Sequence, residues 1–312
     1  MTLRHLEIFV AVCQAGSVTR AAERLHISQP TVSVAVRELE EHYGANVFDR
    51  ISHKLRITPF GEDIYDYSLR LLNLYADTVN AKPGFPEVRV ATGTAIGKLF
   101  IPTVIKSFLA GHPDVRVKAC VGDATRMYRL VMDNDVDFVI AETVDLIPGL
   151  SHHAIQHYPV VPVCHRDNPI CRRDFVTAQE LAKENLLLRE PSASTRTVVD
   201  TYFQMHNITV EPLLESYSVQ ALFNAAREGL GVAFLSLDHV LACRDQDLVI
   251  LNIPDFHAER YVNVAYYKDK IFTPPMQAFL THYETHTNEE LRRGIRFYRE
   301  KNPGSTYVFP EL

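Results

Sequence analysis

Residues Ser17 to Arg50 read SVTRAAERLHISQPTVSVAVRELEEHYGANVFDR. The pattern is two short helices joined by a tight turn, then the start of a hairpin. Ala21, Ala22 and Leu25 give the first helix its small and apolar contacts. Ser28 is placed to cap the second helix, and Pro30 falls in its first turn, where the N–H that proline lacks would have no partner. Val32, Ala35, Val36 and Leu39 follow as one apolar stripe at helical spacing. At about 100° per residue, Pro30, Ser33, Val34 and Arg37 point the other way. Such a face, small, polar and basic with nothing bulky, suits approach to base edges and phosphates in a DNA major groove. The alternative is a helical hairpin whose outer face meets only water.

The flanks extend the motif. Leu3, Leu6, Phe9, Val10 and Cys13 form the apolar stripe of a preceding helix that Gly16 can end in the left-handed conformation. After Gly44, residues Val47 to Thr58 hold two short β-prone pieces around a polar, basic loop, a wing. Arg50, Lys54 and Arg56 would lie along the phosphate backbone, or else form a solvated loop. Through Thr58 the chain has seven Lys/Arg against six Asp/Glu, and the whole chain has a net charge of −6. Charge balance alone would not suggest a nucleic-acid partner, so the reading rests on local arrangement.

SxTRAAxxLxxSQPxVS followed by LExxxGxxxFxR closely resembles the N-terminal domain of the LysR-type transcriptional regulators, and the similarity runs on through the wing, ISHKLRITPFGE. Carried onto this sequence, the resemblance implies DNA contacts from Thr19, Arg20, Gln29, Pro30, Thr31, Ser33, Val34, Arg37, Arg50, Lys54 and Arg56. Val34 departs from the pattern, which usually has a basic or long polar residue after SQPxVS. An apolar contact there, for instance with a thymine methyl, would alter operator preference.

Thr58-Pro59 is a helix-start signal, and Phe60, Ile64, Tyr67, Leu71, Leu74 and Thr78 repeat at spacings of about 3.5 residues. Such a seam pairs with another helix, so a dimer through residues 59–81 is expected, as two half-sites require. Lys82-Pro83-Gly84-Phe85-Pro86 is the hinge. The division is therefore 1–58, a winged helix-turn-helix domain; 59–86, a dimerisation linker helix and hinge; and 87–312, an effector-binding domain.

From Val88 the strands VRVAT, VRVKACV and DFVIA alternate with helical stretches, a βαβαβ rhythm that predicts a largely parallel sheet. HYPVVPVCH opens a second block, containing NLLLR, VEPLLES and VAFLS. The resemblance implies an α/β, two-lobed, periplasmic-binding-protein-like clamshell. Its crossings are expected near Val161 and Tyr267, giving lobe I as about 87–160 and 268–312 and lobe II as about 161–267. The charged stretch 288–312 lies beyond the usual family core.

In an open α/β architecture, ligands bind at the carboxyl ends of strands beside helix N-termini. Thr92-Gly93-Thr94-Ala95 follows the strand VRVA, and Ser194-Thr195-Arg196 follows NLLLR after a short loop. Each opens a helix whose free N–H groups favour an anion. The resemblance places the effector cleft between these lobes. A small, anionic or carbonyl-bearing effector touching Thr92, Thr94, Ala95, Ser194, Thr195 and Arg196 is expected, with Asp123, Thr125 and Ser218 as secondary candidates. The alternative is that these hydroxyls only cap helices.

With 46% hydrophobic and 22% charged residues, the 312-residue chain reads as ordinary globular protein. No basic-then-apolar leader and no long apolar run is seen, so a cytoplasmic protein with no membrane partner is expected. Five scattered cysteines without a CxxC suggest reduced thiols. His152, His153, His157, Cys164 and His165 cluster in sequence but match no metal-ligand spacing. Gly229-Leu230-Gly231 lacks the lysine of a phosphate loop, and no cofactor is expected.

Two rival readings are a free-standing solute receptor and an enzyme using the clamshell. The first requires a leader; the second requires a converging acid, base or nucleophile that the sequence does not offer. The expected function is ligand-responsive transcriptional regulation. Its partners are double-stranded DNA, a second copy and the effector; the resemblance further implies a tetramer and contact with RNA polymerase.

Overall fold

The computed structural model describes residues 1–51, 54–80, 85–142, 147 and 149–310, without the side chains of Arg50, Ile51, Lys54, Asn80 and Ala124. They form two compact units, Met1–Pro86 with Tyr267–Ile271, and Glu87–Tyr266 with Phe272–Leu312.

The first unit contains α1 (Leu3–Ala15), α2 (Val18–Leu25), α3 (Gln29–Tyr43), β1 (Phe48–Ile51), β2 (Lys54–Ile57) and α4 (Pro59–Asn80). Phe9, Val12, Ala21, Val32, Leu39 and Val47 are its fully buried centre. Local chemistry sets each boundary. Gly16 at φ 62° ends α1, Ser17 Oγ accepts from Arg20 N at the start of α2, and Gly44 at φ 66° ends α3. β1 and β2 pair antiparallel from Phe48 opposite Ile57 to Ile51 opposite Lys54, which is the wing. Gly61 sits where α4 meets the wing; a Cβ there would lie 2.2 Å from the Val47 carbonyl oxygen.

The expected seam on α4 divides in two. Ile64 is buried in the first unit's core and Phe60 packs against it. Tyr67, Leu71 and Leu74 stay 61%, 49% and 50% exposed, joined by Tyr75 and Val79. The hinge residues Lys82, Pro83 and Gly84 lie outside the described residues.

The second unit runs β3 (Glu87–Gly93), α5 (Thr94–Leu99), α6 (Ile101–Gly111), β4 (Arg116–Gly122), α7 (Ala124–Met132), β5 (Phe138–Ala141), β6 (Leu150–His165), α8 (Ala178–Leu181), β7 (Leu186–Arg189), α9 (Ser194–Met205), β8 (Pro212–Ser216), α10 (Val219–Arg227), β9 (Val232–Ser236), α11 (Leu237–Cys243), β10 (Leu248–Ile250), β11 (Glu259–Tyr267) and α12 (Pro274–Lys301). β3 pairs parallel with β4 and β5, and β7 pairs parallel with β8 and β9, the two βαβ groups the rhythm predicted. β5 and β9 are buried at every residue because both faces are covered. The strand order is β4-β3-β5-β11-β6-β9-β7-β8, with β10 beside β6, so the long strand β6 and β11 join both groups into one hydrogen-bonded path.

Val160 pairs with Ser236 of β9, beside Val161, where one crossing is expected. Asn263, Val264 and Ala265 of β11, within a few residues of Tyr267, where the other is expected, pair antiparallel with β5. An apolar strand reads alike on either sheet, and hydrogen-bond partners alone decide its membership.

One expectation about the lobes needs correction. The charged stretch after Asn288 is the second half of α12, and it does not belong to lobe I alone. Leu291, Ile295 and Tyr298 are buried, Tyr298 Oη accepts from Ile250 N at 2.7 Å, and Thr306 Oγ1 donates to the Asp174 carbonyl at 2.6 Å. Ile250 and Asp174 belong to the second block.

Candidate functional site

In the first unit the exposed face of α3 is the candidate nucleic-acid interface. Ser28 Oγ accepts from Thr31 N at 3.3 Å and Pro30 lies in the first turn, so the helix begins where the sequence places it. Val32, Ala35 and Leu39 turn inward. Gln29, Pro30, Thr31, Ser33, Val34 and Arg37 are exposed, as are Thr19 and Arg20 on α2 and Arg56 on β2. Arg37 Nε lies 3.7 Å from Glu41, a loose exposed pair that a phosphate can displace. The backbones of Arg50 and Lys54 stand opposite each other's strand neighbours in the wing, while their side chains lie outside the described residues. Val34 lines a shallow hollow with Arg4, His5, Pro30 and Glu38, so the residue that departs from the family pattern adds an apolar patch to this face.

Two supports were missed in the sequence. Glu40 Oε1 accepts from Val47 N at 3.0 Å and Phe48 N at 3.3 Å, fastening the wing to the recognition helix. His5 Nε2 lies 2.7 Å from Glu38 Oε2, tying α1 to α3. Both contacts join residues far apart along the helix surface pattern, and no local motif announces them.

In the second unit, Thr94 opens α5 at the end of β3, and Ser194 with Thr195 opens α9 after β7. Neither helix has a side-chain cap: Gly93 and Ala193 occupy the cap positions. Thr94 and Ser194 are exposed, with Ala95 half-buried beside Thr94, while Thr195 and Thr92 are buried. Asp123 and Ser218 behave differently. Asp123 caps α7 through Arg126 N at 2.9 Å, leaving Thr125 exposed in its first turn, and Ser218 caps α10 through Ala221 N at 3.3 Å.

Arg196 stands at the expected place but its guanidinium is engaged. Nε bonds both oxygens of Asp200 at 2.9 Å, and Nη1 reaches the Arg189 carbonyl at 2.8 Å and Glu215 Oε2 at 3.0 Å. It ties α9 to β7 and β8. Across the lobes, Lys98 Nζ in the last turn of α5 donates to Gln220 Oε1 in the first turn of α10 at 3.1 Å. Lys98 is the cation at this opening that the sequence reading passed over.

The histidines singled out in sequence lie along β6. Among the described residues, no group of three His, Cys, Asp or Glu side chains could hold a metal ion. Among the same residues, no helix is long and apolar enough to cross a membrane.

Residues 3–62 match the bacterial regulatory helix-turn-helix protein of the lysR family, and residues 84–288 match the LysR substrate binding domain. The chain is 30% identical to the HTH-type transcriptional regulator CfxR of Cupriavidus necator, over 94% of each chain. It is 27% identical to the HTH-type transcriptional activator CmpR of Synechocystis, over 91% of this chain and 95% of that one. The solved structure of a Corynebacterium glutamicum OxyR mutant shares the fold at a TM-score of 0.59 and 19% identity, covering 95% of this chain and 96% of that one. CbnR, a LysR family transcriptional regulator, superposes at a TM-score of 0.53 and 21% identity, over 91% of this chain and all of that one. With an exposed recognition helix and a wing in one matched segment and a two-lobed α/β unit in the other, the chain belongs to the LysR family of DNA-binding transcriptional regulators and is not an enzyme.

Proposed function

We propose that this regulator works as a dimer, paired through the exposed stripe of α4, with one α3 in each of two successive major grooves. The observation that supports this most is the face of α3 on which Gln29, Ser33 and Arg37 stand exposed. Gln29, Ser33 and Arg37 contact bases, Thr31 sits near the backbone, and Arg20, Arg50, Lys54 and Arg56 meet phosphates. Footprinting on the DNA flanking its own coding region tests the reading. Protection of an imperfect palindrome is expected, with Arg37→Ala weakening binding by roughly tenfold to a hundredfold and added salt weakening it further. Binding with no preferred site would overturn it.

The effector reading rests on the two uncapped helix starts. A small anionic ligand lies between Thr94 and Ala95 on one side and Ser194 and Thr195 on the other, with Lys98 supplying the charge that the engaged Arg196 does not. Thr92, buried, shapes the wall. Asp123, Thr125 and Ser218 border the opening, the first and last chiefly as caps. Such a ligand changes DNA binding only as far as it prefers one arrangement of the lobes or of dimers paired into a tetramer. Effector-dependent contact with RNA polymerase belongs to the same reading. Once an anion that shifts the footprint is found, its affinity should fall on combining Thr94→Val with Thr195→Val; unchanged affinity would remove the ligand from this cleft.

A further inference from the structure

A groove outside the interface and the cleft carries its own chemistry. A cavity of about 440 Å³ lies between Ile155–Pro159 of β6 and the C-terminal segment Tyr307–Pro310, with Asn288 of α12 and Glu259 at its sides. A second, of about 260 Å³, adjoins it along Pro159–Pro162 and Leu251–Glu259, and both share Glu259 and Tyr307. The first falls within the roughly 300–1,000 Å³ in which small-molecule sites are found.

The lining asks for a hydrogen-bond donor. Gln156, 8% exposed, donates through Nε2 to the Glu284 carbonyl at 3.3 Å, to Thr287 Oγ1 at 2.7 Å and to Asn288 Oδ1 at 3.0 Å. A carbonyl can only accept, so the amide orientation is fixed. Gln156 Oε1 is then a buried acceptor without a partner. The carboxylate of Glu259 adds negative charge, and neither cavity is lined by Lys or Arg. Tyr307 and Phe309, ring centroids 5.1 Å apart at 88°, bring aromatic rings to the same wall. Ring faces attract cations; the Arg299 guanidinium lies 5.4 Å over Phe309, which leaves Tyr307 as the ring for a cation and Phe309 for the apolar body.

From this we infer that the groove is a second ligand site, selective for an organic cation, an ammonium or guanidinium on an apolar body. The charged head is held by Gln156 Oε1 and Glu259, and the body lies against Tyr307 and Phe309. Tyr307 to Pro310 come after residue 288, where the match to the LysR substrate binding domain ends. Part of its wall therefore lies beyond the matched domain, and the groove shares no lining residue with the cleft proposed for the anion.

The test uses the full-length protein with 2-phenylethylammonium as probe and phenylacetate as its charge-reversed twin, read by titration calorimetry and saturation-transfer NMR. Saturable binding of the ammonium at one per chain is expected, with phenylacetate unable to displace it. Glu259→Gln should weaken it at least fivefold and Tyr307→Ala at least tenfold, each variant first checked by its melting temperature. Absence of saturable ammonium binding would mean that water satisfies Gln156, and would overturn the site. So would equal binding of the two probes, or binding that survives both substitutions. None of these outcomes bears on operator recognition, which the footprint tests separately.

Discussion

His239 shows what burial does to a single side chain. Both ring nitrogens are buried without a partner, and burial, with the Lys98 charge second, pushes its pKa down to about 4. The unfolded chain takes up that proton near pH 6.5, the folded chain only near pH 4, so neutral His239 favours folding above pH 6.5 and the advantage is lost as pH falls. The slope is about 1.4 kcal/mol per pH unit, on the order of 3 kcal/mol across the window. Denaturant unfolding should lose that much more between pH 7.5 and 4.5 in the native chain than in His239→Phe; equal losses would mean that His239 is charged in the fold. Cys171 offers a second residue-scale outcome. Cys164 Sγ lies 3.1 Å from Cys171 Sγ and its hydrogen bond lowers the Cys171 thiol, while Cys164 is raised. Limited iodoacetamide at neutral pH should therefore label Cys171 before Cys164, as mass spectrometry of the tryptic peptides would show. The turn at Pro169–Arg172 brings the two cysteines, seven positions apart in sequence, together.

At the scale of elements, α3 and α4 were read well because their rules are local. A Ser cap, a proline in the first turn and a left-handed glycine are each set by neighbours within a few positions, and the boundaries of α3 fall where those signals stand. The stripe on α4 was also legible, but its division was not. Periodicity says which side of a helix is apolar and not what covers it; the wing and α1 cover Ile64, and Tyr67, Leu71 and Leu74 are left outward. Leu71→Glu should place a charge in that outward seam without touching the first unit's core. Sedimentation should show the dimer weakened by at least a hundredfold with the melting of the monomer unchanged; a dimer that persists would move the interface elsewhere. Glu40→Ala tests the wing's attachment. It leaves Val47 N and Phe48 N without their acceptor and should cost about 1–3 kcal/mol, with loss of operator affinity beyond that expected for a wing of intact position.

At the scale of the molecule, the C-terminal extension is part of the second unit's core. Gly294 lets α12 lie against α11, where a Cβ would come within 2.8 Å of the Leu241 carbonyl oxygen. Leu291, Ile295 and Tyr298 fill the contact, and Arg244 meets Glu290 at 2.6 Å. Ending the chain after Asn288 removes those three side chains and unpairs Ile250 N, a loss on the order of 5 kcal/mol or more. Thermal melts should show the second unit's transition lowered by more than ten degrees and limited proteolysis should cut within β10 and its flanks. A truncated chain melting like the full one would make the extension a loose appendage.

The sequence by itself determined the winged helix-turn-helix, the long linker helix, the βαβ groups and the family, because capping, turn chemistry and periodicity act over a few residues. It also marked the two helix starts after β3 and β7 as candidate walls of a cleft. Tertiary structure alone decided how charges and long strands are used. Arg196 looked free in sequence and is held by Asp200, Glu215 and the Arg189 carbonyl, partners up to 19 positions away. The charged end of the chain, assigned by sequence to lobe I, is buried along one face and reaches Ile250 of the second block. In each case the deciding contact is made across a fold the local pattern does not encode: a guanidinium or a strand edge must satisfy its hydrogen bonds, but the sequence does not say with which partner.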